Sequence, residues 1–390
     1  MNSIFSAKEP NLGYLYQVRY GLLLIVSEQN QEAKLLIEQI DDISIETPSA
    51  LEVYQTKLHI NSVANLTNAS TDLWKTIRVW SEGIVSGQLD PDNCIFNLIT
   101  TAAASADTIP FKLKQRTKDT REVEEILKSL LEVATTSNSK TNKAAYAAFT
   151  ALTNEQQRKL IKNISVIDSS IDLNEAKDGI KKLLFYSITS DKVEALYQRL
   201  EGWFVGEVIL QLQNQRAEIS GKDVQDKILD LVDSFKADNL PDDFAVSIAS
   251  DEEQLSPYRN KTFVKQLEAV GIRPNAKTIS HAISDYHRAF SQKSKWLREG
   301  LINATDEITY DSKLIDDWEK KFSILEDIAE STDEIKKTEG KKFYESHYVN
   351  TQPNIHIRER FKEQYMVTGS CQILSDKKKV GWHPNFKDIV

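Results

Sequence analysis

Residues 35–58, LLIEQIDDISIETPSALEVYQTKL, carry the pattern that decides the fold of the N-terminal part of the chain. Residues of alternating character run from Leu35 to Ile45, which predicts a strand. Pro48 and its polar neighbours interrupt the run and predict a loop. A second strand is predicted from Val53 to His59. The stretch therefore predicts two adjacent strands joined by a polar loop.

The polar side chains of these two strands form a pattern that is typical of metal-assisted phosphate chemistry. Glu38 and Asp42 share one parity in the first strand, and Gln55 and Lys57 share one face of the second. Carboxylate, amide and backbone oxygens are suitable ligands for Mg²⁺, and the carbonyl of Thr56 could complete the set. A phosphodiester resists attack unless a divalent cation and a positive side chain meet its charge together.

These considerations predict a site for Mg²⁺, with Mn²⁺ as the alternative ion. Asp42 and Gln55 are the predicted ligands, and Glu38 is predicted to help ligate a second ion. Lys57 is predicted to orient or deprotonate the attacking water, or to offset charge in the transition state. Asp41 is predicted to be a turn residue, although the two aspartates could exchange roles.

Several other polar residues are weaker candidates for the same site. Gln17, one predicted helix earlier, could support the metal shell or contact DNA. Lys75 and Arg78, on a helix that follows, could bind DNA phosphates, or they could be solvated surface charges. His59 could contact a phosphate, but an exposed strand-end histidine is the simpler interpretation. Taken alone, any one of these motifs is more often ordinary protein surface than a site.

The composition restricts the class of protein. The chain has 390 residues, a formal net charge of −9 and 40% hydrophobic residues, enough for two or three domains. With two widely separated cysteines, Cys94 and Cys371, a disulfide framework is not expected and a reducing cytoplasm fits best. We expect no transmembrane span, secretion signal or zinc site. The acidity argues against a protein that coats nucleic acid but does not exclude DNA as a substrate.

The pattern along the chain predicts an α+β protein with three segments. Helices are predicted at residues 12–27 and 71–83, the latter capped by Ser70 or Thr71 with Gly83 beyond its end, and a third strand at residues 94–101. Residues 1–115 are thus predicted to form a small α/β domain, and a flexible-looking basic stretch, residues 112–121, follows its last strand.

The remaining two segments are predicted to be helical. Residues 116–250 form a helical middle region, and residues 251–390 form a C-terminal helical domain. Linkers are predicted at Pro241–Asp243 and at residues 250–257.

The motifs of the first segment, taken in order, resemble a known endonuclease domain. They are Gly13–Gln17 (GYLYQ), Ile37-Glu38, Asp41–Ile43 (DDI), Tyr54–Lys57 (YQTK) and Asp72–Thr76 (DLWKT). Over roughly residues 10–105 they are similar to the double-stranded-DNA endonuclease domain of bacterial anti-phage effectors such as those of CBASS. That domain belongs to the Q-x-K branch of the PD-(D/E)XK superfamily. The resemblance implies a restriction-endonuclease-like fold with Asp42, Gln55 and Lys57 as its catalytic centre. Glu38 and Gln17 take supporting positions.

The last segment resembles a different module. The residues that carry the resemblance are Tyr286–Phe290 (YHRAF), Trp296–Leu301 (WLREGL), Trp318, Ile357-Arg358, Gly369-Ser370 and Gly381–Pro384 (GWHP). They resemble the C-terminal domain of three-component systems that pair an effector with an SMC-like ABC ATPase. Together the two ends of the chain are similar to the nuclease effector subunit of Lamassu defence systems.

This second resemblance implies partners and a mode of control. The C-terminal region would dock onto the ATPase and a small third subunit, which hold the nuclease inactive. Release on sensing phage DNA ends or plasmids would let the subunits assemble into a homo-oligomer that cuts both strands of DNA.

Three other functions are compatible with the same residues. A catalytically inactive interaction subunit stays possible because Gln55 stands where many relatives carry an acid. A stand-alone restriction-like endonuclease would need a recognisable DNA-reading module or a strongly basic face, and neither is evident in the sequence. A nucleotide-sensing effector, unlocked by a cyclic oligonucleotide, is the third, although the GWHP module favours the three-component interpretation.

Overall fold

A computed structural model describes residues 8–59, 64–328, 330–351 and 353–388. The chain divides into two compact units, Met1–Leu231 and Val232–Val390. The first unit combines a mixed sheet with helices, and the second is helical in its described part. No helix among the described residues has the length and apolar character needed to cross a membrane.

The strands all lie in the first unit, as far as the structure describes the chain. They are β1 (Lys34–Ile37), β2 (Ile43–Glu46), β3 (Leu51–Lys57), β4 (Asn65–Leu66), β5 (Cys94–Thr100), β6 (Ala103–Ala104), β7 (Ile164–Ile167) and β8 (Ile219–Ser220). The helices that begin in this unit are α1 (Lys8–Glu28), α2 (Thr71–Val85), α3 (Ile109–Lys112), α4 (Val123–Thr136), α5 (Lys143–Ala151), α6 (Asn154–Asn163), α7 (Leu173–Leu183), α8 (Val193–Leu212) and α9 (Gly221–Ser234).

Six of these strands form one sheet, in the order β7-β5-β3-β2-β1-β8. Strands β1, β2 and β3 form an antiparallel meander, whereas β3, β5 and β7 run parallel to one another. The parallel pairing of β3 with β5 needs a crossover connection, and α2 lies in it. Strands β4 and β6 form a separate parallel pair.

Helix α2 packs through two fully buried tryptophans, one against helix α5 and one against the sheet. Trp74 makes edge contacts with the rings of Tyr146 and Phe149, at centroid distances of 4.6 and 6.1 Å. Trp80 packs on Phe96 of β5, with ring centroids 5.3 Å apart. Large aromatic side chains dominate the burial energy of a core and fix the helix that carries them. The indole of Trp80 is thereby held beside the turn that precedes β2.

The structure corrects the predicted first strand. Residues 35–45 form two strands, β1 and β2, because the chain turns back between Ile37 and Ile43. Glu38 has a positive φ of 55° in this turn, and its N–H donates to the carbonyl of Asp42 at 3.1 Å. The alternation of residue types continues through the turn, and for that reason the shared parity of Glu38 and Asp42 does not place them on one strand face.

Other local predictions fare better. The helix at residues 12–27 is confirmed within α1, and α2 begins at Thr71 after the predicted cap residue Ser70. The strand at 94–101 is confirmed as β5. The predicted end of the second helix is wrong, because Gly83 lies inside α2, which ends at Val85.

The predicted boundary at residue 115 is not a structural boundary of the first unit. Strand β7 pairs with β5, and β8 pairs with β1, so the sheet draws on residues far beyond 115. The basic stretch at 112–121 is ordered into a 3₁₀ helix, Gln115–Thr120. The guanidinium of Arg121 then donates to five backbone carbonyls of surrounding residues: Leu113, Lys114, Ile161, Lys162 and Ile164.

The pairing of β8 with β1 depends on a close backbone approach at Gly221. The N–H of Gly221 donates to the carbonyl of Ala33 at 2.8 Å. A Cβ atom on residue 221 would lie 1.9 Å from the carbonyl oxygen of Asn30. Glycine is required here because any side chain would push α9 and β8 off the edge of the sheet.

The helices of the second unit surround its own hydrophobic core. They are α10 (Glu252–Leu255), α11 (Thr262–Ala269), α12 (Lys277–Arg298), α13 (Ala304–Glu326), α14 (Asp333–Tyr344) and α15 (Gln364–Asp376). Trp296 and Trp382 are completely buried in this core. The predicted linker at 241–243 is packed rather than free. The Trp296 indole donates to the carbonyl of Pro241 at 2.9 Å, and the Tyr365 hydroxyl donates to Asp242 at 2.6 Å.

Candidate active site

Asp42 precedes β2 and faces the end of β3. Its side chain accepts three kinds of donor from that strand. Oδ2 accepts the backbone N–H of Thr56 at 2.8 Å and the Thr56 hydroxyl at 3.1 Å. Oδ1 accepts from Nε2 of Gln55 at 2.8 Å. These bonds fix the carboxylate in one orientation before any ligand is present, which is the condition for a preorganised site.

The ammonium group of Lys57 lies among the oxygens that the sequence predicts as metal ligands. Its Nζ donates to Oε1 of Gln55 at 2.8 Å and to the carbonyl of Thr56 at 3.1 Å, and it lies 3.9 Å from Oδ2 of Asp42. The side chains of Lys57 and Asp42 are about one fifth exposed. The sequence prediction that Asp42, Gln55 and Lys57 lie close together is confirmed in geometry, while their chemical role stays a prediction.

The chemistry of this donor set fits Mg²⁺ or Mn²⁺. A carboxylate, an amide carbonyl and a backbone carbonyl are hard oxygen donors, and they surround one cationic group. In the described part of the chain, no three His, Cys, Asp or Glu side chains are grouped as a metal site. The Asp42 site is compatible with that finding because a glutamine and a main-chain oxygen supply two of its donors.

Asp41 lies beside this group and was predicted to be a turn residue that could exchange roles with Asp42. Its carboxylate is 6% exposed. Oδ2 accepts the indole N–H of Trp80 at 2.6 Å, and Oδ1 accepts both the N–H of Asp42 at 3.0 Å and Nε2 of Gln55. The sequence signal for this role is the tryptophan on the buried face of α2, since a buried indole N–H needs an acceptor.

The burial of Asp41 changes its acidity. Burial raises the pKa of the carboxyl from 3.8 to about 6, although the hydrogen bonds from Gln55 and Trp80 act in the opposite direction. The folded protein therefore binds this proton more tightly than the unfolded chain does.

This shift predicts a pH-dependent stability of the ion-free protein. Because the folded pKa is above the unfolded one, the contribution of Asp41 to stability is full at low pH and is lost as the pH rises from 3.8 to about 6. We expect the wild type to lose about 3 kcal/mol of unfolding free energy over this window relative to Asp41→Asn, whose side chain does not titrate. Denaturant unfolding of both proteins across the window measures the difference. Identical pH profiles would contradict the assignment.

Two supporting positions predicted from sequence lie elsewhere than expected. Gln17 of α1 is 4% exposed and donates through Nε2 to the carbonyl of Asp42. This hydrogen bond stabilises the turn that carries Asp42. Because the amide is buried, the structure does not support the prediction that Gln17 contacts DNA. Glu38 has an exposed side chain in the turn, so its predicted part in the metal shell is not supported by a strand position.

The predicted DNA-contacting cations lie on α2. Lys75 is exposed, and Arg78 is partly exposed, with its Nε 3.7 Å from Oε1 of Glu82. His59, just after β3, pairs through Nε2 with Oδ2 of Asp72 at 2.8 Å. Lys75 is therefore the cation of this helix that is most available to a phosphate.

Comparison with known families and structures identifies one segment of the chain. Residues 263–390 match the family described as C-terminal domain 7 of the ABC-three component (ABC-3C) systems. The match covers less than half of the chain and lies within the second unit. No curated protein matches the chain.

Among solved structures, the similarities are weak. The Cap4 SAVED/CARF-domain containing receptor of Acinetobacter baumannii, with the cyclic trinucleotide 2'3'3'-cAAA, is 12% identical over 76% of this chain and 61% of that chain, with a TM-score of 0.37. The Cap4 receptor of Moraxella osloensis is 14% identical over 72% of this chain and 68% of that chain, with a TM-score of 0.35. In another structure of the Acinetobacter receptor, the chain spans 47% of that protein's length.

Proposed function

We propose that the first unit is a Mg²⁺-dependent nuclease that hydrolyses phosphodiester bonds of double-stranded DNA. The observation that carries the proposal is the convergence of Asp42 Oδ2, Gln55 Oε1 and the Thr56 carbonyl on one cationic group. These three oxygens would hold the ion. When bound, Mg²⁺ supplies a Lewis acid that polarises the scissile phosphate and lowers the pKa of a coordinated water.

Asp42, Gln55 and Lys57 have different proposed roles in the reaction. Asp42 contributes the negative charge of the site and is kept in place by Thr56. Gln55 contributes a neutral oxygen, so the pocket has less negative charge than a two-carboxylate site. Lys57 has a flexible side chain that can leave the three oxygens. Its ammonium then lies beside the phosphate, where it orients the attacking water or offsets the charge of the transition state.

DNA approaches this site past α2, and a charge change there is expected to weaken binding. We expect Lys75→Ala to reduce duplex affinity and to lower the slope of log affinity against log salt by about one, because a single phosphate contact is lost. Anisotropy of a labelled duplex, with Ca²⁺ replacing Mg²⁺ to prevent cutting, measures both quantities. Lys320→Ala is the control, since this lysine is exposed on α13 of the second unit. Equal effects of the two substitutions would exclude α2 as a contact surface.

The second unit carries the observation that favours membership of this protein in a multi-subunit complex. Its match to a C-terminal domain of ABC-three component systems supports the proposal that this chain is the effector of such a system. We propose that an SMC-like ABC ATPase and a small third subunit bind the second unit and hold the nuclease inactive, as in Lamassu-type anti-phage defence. Release and assembly with further copies would activate it.

A plasmid assay tests the catalytic proposal. Purified protein is incubated with supercoiled plasmid in Mg²⁺, in Mn²⁺ and in EDTA, alone and after co-expression with the proposed ATPase and third subunit. We expect metal-dependent linear and degraded products from the isolated chain and suppression in the complex. Absence of cutting under every metal condition would refute nuclease activity.

A second candidate function is a catalytically inactive interaction subunit of the same kind of complex. The observation that favours it is Gln55, which donates to both neighbouring aspartates while its oxygen accepts from Lys57. This network satisfies the polar groups of the site without an ion. Mn²⁺ titration separates the two functions, because the inactive subunit would show no binding that depends on Asp42.

A further inference from the structure

We propose that Asp41 is a positioning residue that fixes the orientation of the Gln55 amide, so that the amide oxygen faces Lys57 and the proposed metal pocket. The inference rests on the proposed function, because the orientation matters only if that oxygen is a ligand. It concerns a residue that the sequence pattern assigned to a turn.

The argument begins with the asymmetry of an amide. The side chain of Gln55 has a donor end and an acceptor end, whereas an ionised carboxylate only accepts. Nε2 of Gln55 donates to Oδ1 of Asp41 and, at 2.8 Å, to Oδ1 of Asp42. Oε1 therefore faces the opposite side, where it accepts from Lys57 Nζ at 2.8 Å. A flipped amide would set its oxygen against two carboxylates and its N–H groups against the ammonium.

Asp41 can orient the Gln55 amide because hydrogen bonds from buried groups hold the Asp41 carboxylate in place. The indole of Trp80 donates to its other oxygen at 2.6 Å, and the N–H of Asp42 donates at 3.0 Å. Trp80 is fully buried and packs on Phe96. The orientation of Gln55 thus follows from a buried chain of contacts that runs from α2 through Asp41 to β3.

Position 55 needs an orienting neighbour because it carries a glutamine rather than a glutamate. A glutamate at position 55 would offer two equivalent oxygens, and no neighbour would need to set its direction. A glutamine offers an oxygen only when its amide points the right way. The buried carboxylate of Asp41 favours one orientation of the Gln55 amide, since its oxygens repel the amide oxygen and attract the amide N–H groups.

Asp41→Asn tests the proposal with little change in shape. Asparagine has one acceptor oxygen for the three N–H groups that the two oxygens of Asp41 accept, so its NH₂ group must face either the Trp80 indole or the Asp42 and Gln55 donors. In either case the buried contacts from Trp80 to Gln55 are broken, and the Gln55 oxygen is held less firmly toward the pocket. We expect Mn²⁺ affinity, measured by calorimetry or EPR, to fall by about ten- to a hundredfold, the usual effect of losing a ligand-orienting contact.

A second substitution distinguishes positioning from a general structural role. In Asp41→Asn/Gln55→Glu, the carboxylate at position 55 accepts from the introduced asparagine amide and needs no orientation. The reference is Gln55→Glu alone, because an added carboxylate raises Mn²⁺ affinity by itself. We expect Asp41→Asn to change the affinity of Gln55→Glu by less than about threefold, a coupling of the size seen between contacting residues. If Asp41 only supports the fold, Asp41→Asn will weaken Gln55→Glu by the same factor as it weakens wild type, and the proposal is overturned.

A spectroscopic readout on ion-free protein decides the orientation without any metal. The Trp80 indole proton and the Gln55 amide protons all point at the Asp41 carboxylate, so a nuclear Overhauser cross-peak between them is expected in wild type. It should vanish in Asp41→Asn, and a cross-peak that persists there would overturn the proposal. A wild type that shows the cross-peak but binds no Mn²⁺ and cuts no DNA would refute the proposed function and leave the positioning intact.

Trp80→Phe keeps the test available if Asp41→Asn does not fold. Phenylalanine retains aromatic packing on Phe96 and removes the N–H that holds Asp41. We expect Mn²⁺ affinity to fall by about three- to tenfold, because the carboxylate keeps its place less well. An unchanged affinity would contradict the proposed role of the buried contacts.

Discussion

Lys57→Met is expected to slow DNA cleavage severely while strengthening the binding of Mn²⁺. The ammonium of Lys57 now lies within hydrogen-bonding distance of two of the three proposed ligand oxygens. An ion must displace it, so removing the charge removes a competitor from the pocket. Cleavage, in contrast, needs the same ammonium near the phosphate, and its loss should lower the rate by about 10²- to 10⁴-fold. Plasmid linearisation and Mn²⁺ calorimetry measure the two effects on one preparation.

Lys34→Met is the matched control for this experiment. Lys34 lies on β1 of the same sheet, is about half exposed and pairs with Glu218 at 3.6 Å. The control substitution should leave both cleavage and Mn²⁺ affinity close to wild type. A Lys57→Met protein that linearises plasmid at the wild-type rate, or that binds Mn²⁺ more weakly, would show that the ammonium is not placed as proposed.

Asp42→Asn is expected to remove ion binding altogether. Asparagine can still accept the N–H of Thr56, so the turn should keep its conformation, but the only anionic proposed ligand is lost. Losing a contact that merely orients a ligand reduces metal affinity by about ten- to a hundredfold, and losing the charged ligand itself should exceed that range. Mn²⁺ EPR measures the free ion directly, and thermal unfolding confirms that the protein remains folded.

Glu46→Gln is the control for the charge change. Glu46 ends β2, is exposed, and has the same formal charge as Asp42. This substitution should leave ion binding unchanged, since the carboxylate faces solvent rather than the pocket. If both variants bind Mn²⁺ like the wild type, the ion site lies elsewhere or does not exist.

The sequence predicted the elements that follow a strong periodicity and missed those that depend on the turn. The β3 strand with Gln55 and Lys57, the β5 strand and the two flanking helices follow from hydrophobic spacing. The break between β1 and β2 does not, because the residues of the turn continue the alternation of the strands. Only tertiary pairing of Ile43 with Tyr54 reveals the register that brings Asp42 beside Gln55.

The role of Asp41 and the position of β7 could not be predicted from the sequence, because both depend on tertiary structure. Asp41 and Asp42 are chemically identical neighbours, and the backbone at the turn decides which one faces the pocket and which one faces Trp80. Strand β7 was missed because its four residues, ISVI, directly follow α6 inside a helical region. A short apolar run of this kind cannot be told from a helix segment by periodicity alone.

The two outer strands of the sheet have a consequence for how the protein is made. Strand β1 obtains its outer neighbour only when residues 219–220 have emerged from the ribosome, and β5 waits for residues 164–167. Until then the growing polypeptide presents two strand edges whose N–H and C=O groups can pair with other chains. The residues of the candidate site are therefore translated long before the unit that contains them can close. Nascent chains stalled before residue 219 should depend on chaperones more than those released after it.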